Sequence, residues 1–405
     1  MSPDEGHAAS ASQLRRLLAR RDGRHARGPV EPLARGPLRR SEALRVLIAG
    51  GGTGGHLFPG IAVADEMVRR FGAEVRFVGS THGIERTAVP RAGYAVDLLS
   101  IRGVMGEGLR GLARAAWRVP ESLFAAWSIL GRFRPSLVIG VGGYAAFPAL
   151  AVAAIRHRPI VLLEQNAIPG LVTRLFAPFA RAVCVSFAET ASRIGPRARL
   201  TGNPVRWKPR GVSAPSEGRL RVLVFGGSAG AHRLNEIVPG ALSRLGGPVQ
   251  VLHQTGAADH EAVTRRYREL GIEATVVPFV EDMRAAYEAC DVAVCRAGAT
   301  TLAELTAMGV PAILVPYPFA AADHQRTNAE ALVRDGAAWL ILDRELDEAT
   351  LAARLEEART DPAGLAERRR SALALGRADA IDRVVDVCLE AAKVPVTAKN
   401  VEREP

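Results

Sequence analysis

One twelve-residue segment occurs twice in this chain: Arg45 to His56 reads RVLIAGGGTGGH, and Arg221 to His232 reads RVLVFGGSAGAH, aligned without a gap. Each copy runs from β-branched and aliphatic residues, the mark of a buried parallel strand, into a glycine-rich turn that opens a helical periodicity. That is the first βα unit of a nucleotide-binding sheet. Glycines let backbone amides approach a phosphate, and the helix N-terminus offers it free N–H groups and the positive end of a dipole. Two copies predict an α/β chain of two Rossmann-like halves whose parallel sheets face one cleft.

Length agrees, because 405 residues suit two domains of roughly 150 to 200 residues each and exceed what one core accommodates. Hydrophobic residues make up 48% and aromatics 5%, with 40 glycines, so most of the chain is a globular α/β protein packed from small side chains. Cys184, Cys290, Cys295 and Cys388 form no CxxC pair and sit mostly in apolar runs. They read as buried thiols in a reducing cytoplasm, with no disulfide or zinc framework.

The longest uncharged apolar run, Ala145 to Ile155, is about half of the roughly 20 residues that a membrane span needs. Arg156, His157 and Arg158 end it. Residues 1–43 hold nine arginines against five acids and no aromatic residue. They read as a disordered basic arm or a misassigned start, outside the fold. A formal net charge of +11 admits nucleic acid, an anionic membrane surface or phosphorylated substrates as partners.

Strand patterns fall at 45–49, 74–78, 136–140, 159–163 and 182–186, then at 221–225, 249–253, 274–278, 291–295, 311–315 and near 338–342, with helical stretches between. Asn203 to Gly218, NPVRWKPRGVSAPSEG, lacks periodicity and is the natural linker. A final amphipathic helix, about Ala378 to Ala392, places Ile381, Val384, Val385, Cys388 and Leu389 on one face and can pack on either domain.

Gly50, Gly52 and Gly55 satisfy GxGxxG, which raises dinucleotide binding. The second strand, however, ends FVGSTHG (Phe77 to Gly83) without the acidic residue that holds a dinucleotide ribose, and no Lys-Ser or Lys-Thr pair makes either loop a P-loop. Three more segments lie at strand ends. GVGGY (Gly140 to Tyr144) is a third glycine loop, and LLEQNAIPG (Leu162 to Gly170) sets Glu164, Gln165 and Asn166 where sugar hydroxyls can be bound. In CRAGATTLAELTAMG (Cys295 to Gly309), Thr300 or Thr301 begins a helix containing Glu304, with its first-turn amides toward an anion.

With these motifs the chain from Leu44 onward resembles the MurG glycosyltransferases of bacterial cell-wall synthesis. The matching segments, in order, are GGTGGHLFPG (Gly51 to Gly60), GGYAAFP (Gly142 to Pro148), EQNAIPG (Glu164 to Gly170), GNPVR (Gly202 to Arg206), GGSAGA (Gly226 to Ala231) and CRAGATTLAEL (Cys295 to Leu305). Ala297, Thr301 and Ala303 are ordinary departures around the last motif, and the arm before Leu44 has no counterpart. The resemblance implies the GT-B fold and transfer of N-acetylglucosamine from UDP-GlcNAc onto lipid I, giving lipid II at the cytoplasmic face of the membrane. It implies an acceptor- and membrane-binding domain at 44–204, a linker at 205–219, a UDP-GlcNAc-binding domain at 220–375, the final helix at 376–393 and a tail at 394–405.

Carried over by motif position, the donor set is Ser228, Val280 with its backbone toward uracil, Ala299, Thr300, Thr301, Leu302, Ala303, Glu304 on the ribose, and Gln325 of DHQRTN on the transferred sugar. Thr53, Gly54, Gly55, Asn166 and Arg206 complete it from the other side. The acceptor is expected against Gly51, Gly52, Gly142, Gly143 and Tyr144, although Tyr144 also suits core packing. His56 is the favoured general base, since an imidazole titrates near neutral pH; the alternative is a histidine that orders the loop or binds acceptor phosphate. Glu164 is the second choice, its plainer role being to order Asn166. His232, the repeat partner of His56, belongs beside the donor diphosphate.

No metal is expected, because helix dipole and amides can replace one at the diphosphate. From Ile101 to Trp127 apolar residues, among them Leu109, Leu112, Trp117 and Phe124, alternate with Arg102, Arg110, Arg114 and Arg118. That pattern suits an anionic bilayer, or an ordinary amphipathic helix with a solvated basic face. Nucleic acid is set aside for want of a motif and of aromatics to stack bases. Other cell-wall synthesis and division proteins are further partners the resemblance suggests. The rivals are a UDP-GlcNAc 2-epimerase and an inert sugar-nucleotide or lipid-binding scaffold.

Overall fold

The computed structural model describes residues 44–101, 108–206, 218–227 and 230–394, with side chains in the helix Gly108–Phe133 described from residue 119 onward. The arm expected at 1–43, the middle of the linker (207–217) and all but the first residue of the tail lie outside the described residues.

In the first half the strands are β1 (Arg45–Gly50), β2 (Glu74–Ser80), β3 (Ala95–Leu99), β4 (Leu137–Gly142), β5 (Ile160–Glu164), β6 (Ala182–Val185) and β7 (Ala198–Leu200). They form one sheet in the order β3-β2-β1-β4-β5-β6-β7, every pair parallel. The second half supplies β8 (Leu220–Phe225), β9 (Val249–Gln254), β10 (Ala274–Val277), β11 (Val292–Cys295), β12 (Ala312–Leu314) and β13 (Ala338–Leu340), ordered β10-β9-β8-β11-β12-β13 and again parallel. Sequence patterning did not find β3 and β7. Both are edge strands of mostly half-buried residues, so neither carries the continuous apolar run of a central strand.

The repeated segments are the central strands. Side chains alternate across a strand, and β1 uses both faces: Val46 and Ile48 enter one hydrophobic cluster, Leu47 and Ala49 the opposite one. In β8, Val222 and Val224 separate from Leu223 and Phe225 in the same way. Chain order reverses beside each of them, between β1 and β4 and between β8 and β11. Ligands of open α/β sheets bind at the carboxyl ends of strands at such switch points, which selects the two glycine loops and their neighbours.

The final helix, Ala380–Ala392, packs on the first half although it follows the second. Val384, Val385, Cys388 and Leu389 are fully buried in the cluster of Val46, Ile48, Leu137 and Cys184. Arg70 reinforces the contact with Asp382 at 3.4 Å and Asp386 at 3.5 Å. The returning chain passes Gly202, whose φ of +83° and 2.7 Å approach to Arg377 Cδ by any added Cβ leave room only for glycine. All four cysteines are buried and unpaired, and no described helix is long and apolar enough to cross a membrane.

Candidate active site

After β1 the backbone turns through Gly50, Gly51 and Gly52, all at positive φ, before the helix Gly54–Phe71 begins. Two amides expected to face the acceptor are engaged inside the chain. Gly51 N donates to Gly142 O at 3.3 Å, and Gly52 N donates to Glu85 Oε2 at 2.8 Å. Glu85 is fully buried, and its other oxygen accepts Ser80 N at 2.6 Å. The first and third loops therefore pack backbone against backbone, and a Cβ on Gly143 would collide with Gly51 O. The amides left for a ligand are those of Gly54 and Gly55: N-cap Thr53 makes no side-chain cap bond, and neither amide has a partner among the described residues.

His56 stands on the first turn of that helix, its Nδ1 3.0 Å from Gln165 Oε1. Gln165 is 2% exposed, and its Nε2 donates to Val141 O at 3.2 Å. The third loop lies under the imidazole, so a Cβ on Gly142 would stand 2.8 Å from Nδ1. The Tyr144 ring flanks the first loop, half-buried against the core, within 4 Å of where a Cβ on Gly52 would be. Glu164 is 3% exposed, and both of its oxygens are taken: Oε1 by Asn166 N at 3.1 Å and Oε2 by Gly170 N at 2.9 Å. These bonds hold the 164–170 turn.

Across the cleft, the helix Ala299–Met308 is capped by Gly298, so neither Thr300 nor Thr301 starts it, and no side chain covers its first amides. Thr300 Oγ1 instead donates to Gly55 O at 2.9 Å, joining the two halves. Leu302 is core and can offer only backbone, while Ala299, Thr301 and Ala303 surround the first turn. Gln325 Oε1 accepts Ala297 N at 3.2 Å and Tyr317 N at 3.0 Å, which leaves its NH2 without a partner among the described residues. Tyr287 Oη donates to Glu304 Oε2 at 2.9 Å. Burial pushes the Glu304 carboxyl up to about 7, against the opposing pull of Tyr287 and Arg206.

Arg206 stacks 3.9 Å over the Phe58 ring. Asn166 is drawn into a second bridge between the halves, its Oδ1 accepting Asn328 Nδ2 at 3.2 Å while Asn328 Oδ1 accepts Ala167 N at 2.8 Å. Val280 is buried with Phe225 and Tyr287. His232 is exposed, and Asp259 at 2.9 Å raises its pKa. Ser228 lies outside the described residues, as do the side chains of Leu109, Arg110, Leu112, Arg114, Trp117 and Arg118. Among the described residues no three His, Cys, Asp or Glu side chains are grouped to hold a metal ion.

Residues 46–185 match the glycosyltransferase family 28 N-terminal domain, and residues 221–384 match its C-terminal domain. A protein of Geobacter metallireducens named UDP-N-acetylglucosamine--N-acetylmuramyl-(pentapeptide) pyrophosphoryl-undecaprenol N-acetylglucosamine transferase is 45% identical over 359 residues, covering 85% of this chain and 97% of that one. The chain belongs to the MurG family. The crystal structure of Acinetobacter baumannii MurG superposes with a TM-score of 0.73 at 29% identity, covering 86% of this chain and 99% of that one. This MurG-family chain is thus a glycosyltransferase with two parallel-sheet domains in the GT-B arrangement. A putative UDP-N-acetylglucosamine 2-epimerase of Listeria monocytogenes superposes at 0.62 with 12% identity over 88% of this chain and 98% of that one, a likeness of fold alone.

Glu85, Tyr287 and Asn328 carried no expected role, and Gln165 was expected only among the groups that bind sugar hydroxyls. Each acts by holding a motif residue in place, and Glu85 and Tyr287 lie outside every quoted motif.

Proposed function

We propose that this enzyme transfers N-acetylglucosamine from UDP-GlcNAc to the 4-hydroxyl of the muramyl sugar of lipid I, forming lipid II with inversion at the anomeric carbon. The observation that carries the reading is the Thr300 to Gly55 bond. It sets the free amides of the helix Ala299–Met308 beside the loop that bears His56.

In a single displacement the 4-oxygen forms its bond to the anomeric carbon as the bond to the β-phosphate oxygen breaks. His56 takes the hydroxyl proton, and UDP leaves carrying the electron pair. Amides at the helix N-terminus oppose the charge gathering on the diphosphate, an arrangement in which each donor is worth about 10²–10³ in rate. They do so in place of a metal. Glu304 and the uncommitted NH2 of Gln325 suit ribose hydroxyls and the transferred sugar. Gly54 and Gly55, rather than Gly51 and Gly52, supply first-loop amides to a phosphate.

The acceptor is a lipid, which calls for peripheral binding at the cytoplasmic membrane face. Phe124 is 78% exposed one turn from the exposed Trp127, and Arg156 stacks 4.0 Å over the Trp127 ring beside the exposed Ile155. Apolar side chains rimmed by arginines suit an anionic surface. The deciding experiment incubates the protein with UDP-GlcNAc and a lipid I analogue in the presence of EDTA. Disaccharide product is expected; a 2-epimer, no turnover, or turnover only after a divalent ion is restored would each overturn part of the reading.

A further inference from the structure

We propose that Gln165 is a positioning residue that fixes the tautomer and ring orientation of His56. The inference rests on reading His56 as the base. It begins from a group with no freedom: the carbonyl of Val141 can only accept, so the Gln165 atom 3.2 Å from it is the NH2. The amide is thereby fixed, and its oxygen faces His56 Nδ1 at 3.0 Å. An amide oxygen also only accepts, so Nδ1 carries the hydrogen. In the neutral ring Nε2 is then the lone-pair nitrogen, and it has no partner among the described residues.

The supporting groups are rigid. Val141 lies in β4, Gln165 directly follows β5, and His56 follows the β1 loop, three neighbouring strands of one sheet. Gln165 is 2% exposed, so water does not compete for either bond. Gly142, at φ +96°, lets the backbone lie flat beneath the ring; a Cβ there would reach Nδ1 at 2.8 Å and displace it. This orienting partner is an uncharged amide. It sets direction without adding a negative charge that would hold the proton on the imidazole after transfer.

The test begins with nitrogen-15 spectra of His56 in the unmodified protein near neutral pH, where the hydrogen is expected on Nδ1. Gln165→Leu should mix the tautomers and lower kcat by roughly 10- to 100-fold, with KM for UDP-GlcNAc little changed. Gln165→Glu retains an acceptor at Nδ1 and should restore that tautomer and part of kcat. Its carboxylate should move the acidic limb of the kcat profile to higher pH. Thermal melts of both variants separate lost folding from lost orientation. A hydrogen on Nε2 in the unmodified protein, or a Gln165→Leu variant that melts lower yet keeps kcat and tautomer, overturns the proposal. A His56→Ala variant with full turnover would instead remove the base reading while the tautomer result stood by itself.

Discussion

The carboxylate of Glu85 accepts the amide of Gly52 at 2.8 Å, so the loop that begins the N-terminal nucleotide-type motif is tied down by a fully buried acid from beyond the second strand. With Ser80 N on its other oxygen, the acid fixes the end of β2 and the glycine turn together. Glu85→Gln keeps the shape but turns one acceptor into a donor that must face an N–H. Loss of about 1–3 kcal/mol is expected, with a fall in kcat, read by urea denaturation and by the transfer assay. Unchanged stability and turnover would show that the loop holds without it.

Glu304 should make donor binding depend on pH. A carboxyl raised to about 7 binds a proton in the folded chain that the unfolded chain has released. Its contribution to stability is therefore present at low pH and lost as pH rises from the ordinary carboxylate range through about 7. Ribose hydroxyls are accepted best by the ionised form, so donor affinity should weaken as pH falls below about 7 and binding near pH 7 should release protons. Calorimetry in buffers of different ionisation enthalpy measures that release. A pH-independent affinity in the unmodified enzyme, matched by Glu304→Gln, would contradict it.

The two repeat histidines should separate kinetically. His56→Ala is expected to lower kcat by on the order of 10²–10⁴ with little change in donor KM. His232, in the second half, is exposed and paired with Asp259 of the same half, so His232→Ala should raise donor KM if it changes anything. Equal losses of kcat in both variants would remove the distinction.

Leu389 is fully buried between the final helix and the first sheet. Leu389→Ala should cost about 2–5 kcal/mol, and the loss should appear as faster hydrogen exchange in β1 rather than in β8. Protection lost first from the second sheet would mean that the helix supports the other half.

Phe124 and Ile155 should govern attachment to lipid. Replacing both by serine is expected to weaken co-sedimentation with anionic vesicles while leaving transfer to a short-chain soluble acceptor intact. Raising salt should weaken binding of the unmodified protein as well. Sedimentation indifferent to lipid charge would argue against the surface.

What could be read in the sequence were features written in contiguous residues. The doubled strand and glycine turn announced two like sheets, and all six strands of the second half were visible as apolar runs. β3 and β7 escaped because an edge strand is covered less and keeps polar residues such as Asp97, which pairs with Arg76 at 3.0 Å. At the site, His56, Gln325 and Glu304 stand out in the sequence only by their position in a motif. Glu85 and Gln165 act through their distance from residues far away in the chain, and nothing local distinguishes Glu85 from an ordinary acid at a helix start. Gly51 and Gly52 are glycines for reasons no local pattern shows: a Cβ on Gly51 would meet the Glu85 carboxylate at 2.6 Å, and Gly52 stands at φ +88° with its amide on the same acid.

The docking of the last helix on the first sheet also sets the order in which this protein can be made. A ribosome finishes β6 about 200 residues before it finishes Leu389, a delay of roughly 10–40 s at ordinary elongation rates. Through that interval the first sheet has a bare apolar stripe where Val384, Val385, Cys388 and Leu389 will lie. Premature termination anywhere in the second half would therefore strand an incomplete first half, prone to aggregate, rather than release a usable one-domain fragment.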